Sequence, residues 1–463
     1  MDYIEVALQQ IERQEGVDGD ILKGLIEGHY PAHERMVGLY ERYRATLEGV
    51  PILTRQFEDI TKINNKLNND FFSDIVDTKV GYFAGKPISY IIDAEQDRYE
   101  QLTEAMDDFI KRNNVPDVDS ETAKKAAITG TAARLLYVDR EGNERVVLVP
   151  PWEAILLYES GMDEPLYGMR YYKVRRQNTQ GEWQNVNRVE WYDDDRITYY
   201  VQNRPDGDFR LDDYEDPNPV PHNFDYVPLV QFANNEEQQG DCEKVLPLID
   251  GYDNILSDAN SEIEQFRLAY MAFYGIEVDE ETLLRAKKTG AFNFPDKEGK
   301  MEFVTKMLDD NVVEHHLDRL EENIMRFSKS VNFGDEQFAG NQSGVSLRFK
   351  MLALESKCIT AERKFTAALR QQFKILASAW VKRGLPLDYM DIDFQFTRNF
   401  PLNLGDEAET TTKLRGQVSE QTRLSMLSFI EDPAWELEQM QAETQGMVDL
   451  DQPVEDEADE PIE

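Results

Sequence analysis

Ile249, Tyr252, Leu256, Ala259, Ile263, Phe266 and Tyr270 recur at alternating intervals of three and four residues, and Val313, Leu317, Leu320, Ile324, Phe327 and Val331 resume the pattern further on. A repeat of period 3.5 puts a narrow apolar seam on a helix, which is what two long helices need to pack side by side. Pro247 suits a first helical turn, and Asn311 with Glu314 has the spacing of a capping box before the second helix. Each helix should run roughly 20–25 residues, or roughly 30–38 Å at ~1.5 Å per residue. An ordinary helical hairpin accounts for the seams equally well. What sets this pair apart is the insert between them, "IEVDEETLLRAKKTGAFNFPDKEGKMEFVTK", Ile276–Lys306. It has a short helix signal and a strand–turn–strand pattern around Gly299. A small α/β knob is therefore expected at the far end of a two-helix stalk, where it would offer a contact surface.

The remainder of the chain reads as α+β. Residues up to about Lys111 look helical, with Phe71, Ile75 and Val80 at helical spacing before Gly85 and Pro87. From Ala133 the period changes. "RLLYVDREGNERVVLV" is two β-like runs around a Gly-Asn turn, and a meander follows with turns at Gly181 and Asp193–Asp195. One antiparallel sheet of five or six strands, ending near "PLVQFANNEE", is the expectation. Beyond the second seam, "VNFGDEQFAGNQSG" is a loop of glycines and small polar residues. A helix should start near Val345 and stop at Gly384 and Pro386, with Phe365, Leu369, Phe373, Leu376 and Trp380 as its apolar stripe. At ~100° per residue, Lys350, Lys357, Lys364 and Lys382 fall within about 40° of one another on it. "MDIDFQFTR" reads as a returning strand, followed by two more helical stretches.

Charge limits what such a chain can do. Fifty Lys and Arg stand against ninety Asp and Glu, a formal net charge of -40. Affinity for DNA comes from cations that release counterions from phosphate, so this chain is no DNA gripper, although DNA could slide past it without sticking. No Lys or Arg follows Arg423, and "DLDQPVEDEADEPIE" reads as a solvated, disordered acidic tail. The N-terminus is acidic with no apolar core, which gives no sign of export. No apolar run approaches the ~18–20 residues of a membrane span. Two distant cysteines, Cys242 and Cys358, make neither a disulfide framework nor a metal knuckle.

Signals of catalysis are weak. "GYFAGKP", Gly81–Pro87, has three residues between its glycines and Pro87 after the lysine, whereas a phosphate loop needs four and a Ser or Thr. His29 and His33 are separated by Pro31 and read as a loop pair, while His315 and His316 fit no metal motif. Asp388, Asp391 and Asp393 could form a two-metal nuclease cluster, but alternating acids on a strand usually make one solvated face. Asn341-Gln342-Ser343 is a glycosylation sequon without meaning unless the chain is exported. No cofactor, no metal and no catalytic residue is expected. A metal-dependent DNA nuclease using the three aspartates, and an acidic coiled-coil adaptor held by the seams, stay open as alternatives.

Four phrases in this order carry a resemblance: "FFSDIVDTKVGYFAGKPI" (Phe71–Ile88), "NNEEQQGDCEKVLPLIDGYDNILSDANSEIEQF" (Asn234–Phe266), "FGDEQFAGNQSGVSLRFKMLALESK" (Phe333–Lys357) and "GQVSEQTRLSMLSFIEDPAWELEQM" (Gly416–Met440). Together with the helix–knob–helix layout, the chain resembles the portal proteins of tailed bacteriophages, in the branch found in siphophages of Gram-positive hosts. The resemblance implies a non-enzymatic, dodecameric ring at one capsid vertex, a virion component assembled in the host cytoplasm, through which double-stranded DNA is packaged and ejected. Its partners would be other copies of itself, the terminase large subunit, head-completion or adaptor proteins, and the major capsid and scaffolding proteins, with no membrane. It implies the portal fold: a mixed helical and antiparallel-sheet wing over 1–240 with a returning strand in 385–404, and a two-helix stem over 241–275 and 307–331. A small α/β clip would occupy 276–306, a tunnel loop 332–344, a long channel helix 345–384 and a helical crown 405–448. The acidic tail over 449–463 has no counterpart. Phe338, Ala339, Gly340, Asn341, Gln342, Ser343 and Gly344 would then line the narrowest point. Arg348, Lys350, Lys357 and Lys364 would face DNA or a neighbouring subunit. Arg285, Lys287, Lys288, Phe292, Phe294 and Lys297 would form the clip surface that meets the terminase.

Overall fold

The computed structural model describes residues 3–440 except 60–61, 93–95, 160–161, 163, 178–180, 205–206, 267–269, 275–277, 280, 282–283, 286–299, 305–309, 333–348, 386–387, 400–403, 428–429, 431–432, 434 and 438. The chain divides into two units, Met1–Asn332 with Ala353–Arg398, and Phe333–Leu352 with Asn399–Glu463.

The first unit opens on α1 (Tyr3–Gln14) and α2 (Gly19–Tyr43), the latter started by Asp18, whose carboxylate accepts from the Ile21 N–H at 3.0 Å. A short α3 (Pro51–Thr54) precedes α4 (Phe71–Phe83), which Asp70 caps. The helical reading then fails for one turn of chain. Strand β1 (Ser89–Ile92) pairs antiparallel with a strand three hundred residues later, Ile92 opposite Ile392. Four residues are too few for a period to declare itself. Two further helices, α5 (Gln96–Asn113) and α6 (Val115–Thr129), complete the helical part.

The strands are antiparallel as expected but belong to two sheets rather than one. Strands β2 (Thr131–Val138) and β3 (Glu144–Val149) join the much later β10 (Leu229–Ala233) in the order β10-β2-β3. The second sheet holds β4 (Ala154–Tyr158), β5 (Pro165–Gln177), β6 (Trp183–Tyr192), β7 (Arg196–Gln202) and the two-residue β8 (Arg210–Leu211), with β9 (Val220–Pro221) also on β7. Burial separates them. The first six residues of β2 are all buried, the mark of a strand covered on both faces. The second sheet puts Met169, Val189, Trp191 and Tyr200 on one face against Ile21, Leu22 and Leu25 of α2.

The first seam helix is α7 (Leu246–Phe266), with Pro247 in its first turn. It ends before Tyr270, which instead opens β11 (Tyr270–Tyr274). That strand pairs antiparallel with β12 (Lys300–Val304), Tyr270 opposite Val304. The second seam helix, α8 (Asp310–Ser328), already includes Asn311, so Asn311 is not its cap. The long α9 (Leu352–Lys382) ends where the Leu385 N–H bonds the Trp380 carbonyl at 3.0 Å across Gly384, whose φ is 85°. Its apolar stripe is buried throughout. Strand β13 (Ile392–Gln395) is the partner of β1. In the second unit, α10 (Leu404–Lys413) and α11 (Glu420–Leu424) are described, the latter capped by Ser419.

Candidate functional site

The α7–α8 hairpin joins the core of its unit where α7 begins and α8 ends. Ile249 near the start of α7 and Ile324 near the end of α8 share a core with Ile75, Val76, Ala127 and Ile128. Along α7 the buried line is not the expected seam. Ile249, Asp253, Ser257 and Ser261 are buried, four residues apart, whereas Ile263 of the seam is 59% exposed. The buried line faces the extended run 64–69: the Asn65 N–H donates to Ser261 Oγ at 2.9 Å, the Leu67 N–H to Ser257 Oγ at 2.9 Å, and the Asn69 N–H to Asp253 Oδ1 at 2.8 Å. Two residues of extended chain advance ~6.6 Å and four residues of helix ~6 Å, so alternate amides of one meet every fourth side chain of the other. Polar residues at interval four escape a search for apolar periods. The same helix carries Asp250, Asp253, Asp258, Glu262 and Glu264 and no Lys or Arg. On α8, five carboxylates stand against Arg319 and Arg326. The pair is therefore strongly acidic along its length.

At the inner end of α8 the backbone turns sharply. Lys329 has φ 58°, a left-handed conformation unfavourable to a residue with a Cβ, and the Ser330 N–H caps the Met325 carbonyl at 3.0 Å. The Ser328 carbonyl, another orphan of the helix end, accepts from Lys357 Nζ at 2.8 Å. Lys357 lies in the second turn of α9, and its ammonium also sits 3.1 Å from Asp241. Asp241 is buried and 3.0 Å from a second buried ammonium, that of Lys79 on α4. Asn234 ties the group together: its amide oxygen accepts from Lys79 at 2.6 Å and its nitrogen donates to Asp241 at 3.0 Å. Burial alone would raise the Asp241 carboxyl, but Lys79 and Lys357 together hold it below the usual range. Burial pushes the Lys357 ammonium down, with Asp241 opposing. The node thus encloses two cations and one anion. Nothing in the local sequence announces it, because Lys79, Asp241 and Lys357 are far apart in the chain.

This turns Lys357 inward, against the expectation that it faces DNA or a neighbour. Its companions on the basic stripe are also engaged within their own unit: Lys364 pairs with Glu236, and Lys382 with Asp225 at 2.5 Å and the Asn223 carbonyl at 3.2 Å. Lys350 is partly buried. Arg348 and the whole run Phe338–Gly344 lie outside the described residues, as do Lys287, Lys288, Phe292, Phe294 and Lys297 of the knob. Arg285 is described; it is exposed and pairs with Glu281 at 3.4 Å.

The groups considered for chemistry are not brought together. Asp388 caps a short turn through the Met390 N–H, and Asp393 faces Arg370 at 3.8 Å. Among the described residues, the acids whose ligand atoms lie within 4.8 Å of one another are Asp193, Asp194 and Asp195, on the β6–β7 turn. Asp193 there already accepts the Asp195 and Arg196 N–H groups. His29 and His33 correct the sequence reading: α2 continues through Pro31, so both rings meet Tyr171, at 5.8 and 6.1 Å between centroids. Burial, and then His33, push His29 down to about 4, which keeps it neutral at physiological pH. Cys242 and Cys358 are buried free thiols, both raised by burial. No helix among the described residues is long and apolar enough to cross a membrane.

Comparison with known proteins places this architecture. Residues 23–448 match the family described as phage portal protein, SPP1 Gp6-like. The chain is 26% identical over 406 residues to the portal protein of Bacillus phage SPP1, covering 84% of this chain and 78% of that one. It is 24% identical over 409 residues to the portal protein of Clostridium phage phiCD119, covering 85% and 88% respectively. The match runs through both seam helices, the insert between them and the long helix behind, and the chain belongs to the SPP1 Gp6-like family of phage portal proteins.

Proposed function

We propose that twelve copies of this chain close into a ring at one vertex of the phage capsid, and that double-stranded DNA enters and leaves through the ring's channel. Helices α7 and α8 act as the stem, and the insert rooted in β11 and β12 as the clip that meets the terminase large subunit and later the head-completion proteins. Residues 332–344 form the tunnel loop, with Phe338–Gly344 closest to DNA. The regions 1–240 and 385–404 form the wing, 345–384 the channel-side helix and 405–448 the crown, with capsid and scaffolding proteins around them. Arg348, Lys350 and Lys364 are the basic residues assigned to DNA or to a neighbour, and Arg285, Lys287, Lys288, Phe292, Phe294 and Lys297 those assigned to the clip surface.

The observation that carries this reading is the acid-rich α7–α8 hairpin that leaves Ile263 59% and Phe327 54% exposed. Exposed apolar side chains on two otherwise charged helices suit packing against further copies. The excess of carboxylates suits a wall past which a polyanion slides, because each phosphate–cation contact would hold the duplex in place. Negative-stain images and light scattering of the purified protein test it. Rings with a central hole are expected; a mass near one 53.7 kDa chain under all conditions would overturn the reading. Shortening Asn341–Gly344 should leave rings intact and impair DNA packaging.

A further inference from the structure

We propose that Lys357 is a positioning residue that fixes both roots of the 333–348 connection, tying the end of α8 to the start of α9 through Ser328 and Asp241. The inference rests on the reading that this connection borders the DNA path. Three observations carry it. The first is placement: one ammonium, on the ninth residue after the connection, bonds the carbonyl of the fifth residue before it, at 2.8 Å, and a carboxylate on a third segment at 3.1 Å. Both feet are thus referred to Asp241, whose N–H is in turn bonded to the Ala127 carbonyl of α6 at 2.7 Å.

The second observation is charge. Asp241 already has Lys79 at 3.0 Å, so a neutral buried pair exists without Lys357. Adding a second ammonium leaves the node with net positive charge in a region where desolvation of an ion is costly. A methionine of similar length would avoid that cost. Lys357 is therefore poorly explained as a stabiliser and well explained as a tether. The third is the backbone it holds. Lys329 adopts φ 58° immediately after Ser328, an arrangement that persists only where the surroundings over-determine it. Lys357 supplies the contact at that point, and a cation at a helix C-terminus is favourably placed to do so.

The test compares rings of the wild type, Lys357→Met, Lys357→Arg and the variant shortened at Asn341–Gly344. Lys357→Met should assemble, with a thermal midpoint equal to or above that of the wild type. Deuterium uptake by the amides of 329–332 and 349–352 should rise about tenfold, the scale of one lost charge-assisted hydrogen bond, while 242–249 stays unchanged. DNA packaged per capsid should fall, with Lys357→Arg restoring a large part. Unchanged uptake at both roots, or a Lys357→Met chain that no longer folds into rings, would overturn the inference. Normal packaging by Lys357→Met alone would also overturn it, whereas normal packaging by the shortened variant would instead sink the reading of the connection as DNA-facing.

Discussion

Helix α9 and the α7–α8 hairpin are both long, both apolar on one side and both recognisable from their spacing, yet the chain treats them differently. On α9, Phe365, Leu369, Phe373, Leu376 and Trp380 are all buried, and Phe373 and Trp380 both meet Phe109 at 6.2 Å. On α7 and α8, burial is confined to the end near Ile249 and Ile324 and to the polar line that receives residues 64–69. The difference teaches that α9 is completed by its own subunit, while the hairpin leaves Ile263 and Phe327 more than half exposed, the surface that the proposed ring would cover. It also explains where the basic residues went. On α9 they are spent on intramolecular ties, whereas α7 carries none.

The strongest way to break this contrast is at the tie between the two regions. Replacing Asp241 by Asn should cost about 3–5 kcal/mol, because two buried ammonium groups lose the anion they share. A loss of unfolding free energy in urea of less than a quarter of that size would show that water reaches the node. The same carboxylate sets an acid limb. Its native pKa is depressed, so its contribution is complete above the unfolded value of ~3.9 and is lost as pH falls through the lower native value. Wild-type stability should therefore drop between pH 5 and pH 2 by more than that of Asp241→Asn. Trp380→Ala should cost a similar ~3–5 kcal/mol through the cavity it leaves in the completed face of α9.

A smaller effect sharpens the account of α7. Ser257 accepts the Leu67 N–H at 2.9 Å in a buried setting. Ser257→Ala leaves that amide without a partner and should cost about 1–3 kcal/mol. Amide exchange at Leu67 should accelerate while Ile249 and Ile324 keep their protection. If the amides of 64–69 exchange no faster than before, the extended run is held by something other than the serine ladder.

How much of this was legible beforehand follows from the range of each signal. The existence of two long helices around an insert, the stop at Gly384, the turns at Gly142 and Gly181 and the burial of the α9 stripe all rest on neighbours within a few residues, and all could be read. The end of α7 was misplaced because Tyr270 continues the apolar spacing while its backbone pairs with Val304. The strand Ser89–Ile92 was missed because its partner is Ile392–Gln395, and one sheet became two because β10 returns to β2 across the whole meander. Lys357 was grouped with other lysines by its angle on the helix and assigned through the resemblance to DNA or a neighbouring subunit. Spacing gives the angle but not what stands opposite, and here Asp241 and the end of α8 stand opposite. His29 and His33 were separated by a proline that α2 absorbs without ending. In each case the decisive contact joins residues distant in the chain, where periodicity carries no information.

The gentlest change to the fold should have the sharpest consequence for assembly. Ile263 and Phe327 are each more than half exposed, so replacing both by Asp should alter subunit stability by no more than ~0.5 kcal/mol, the scale of surface substitutions. If the hairpin is instead completed by neighbouring copies, each Asp would enter an apolar contact already rich in carboxylates, where a buried like charge is strongly unfavourable. The double variant should then have a wild-type unfolding midpoint and circular dichroism spectrum but sediment as single chains. A matched pair of changes on α9, Arg363→Asp and Ala367→Asp, which are also exposed, should leave assembly alone. Rings formed normally by the hairpin variant would mean that the exposed apolar positions on α7 and α8 face solvent. The contrast between a finished helix and an unfinished pair would then vanish, since both would be complete in the lone subunit.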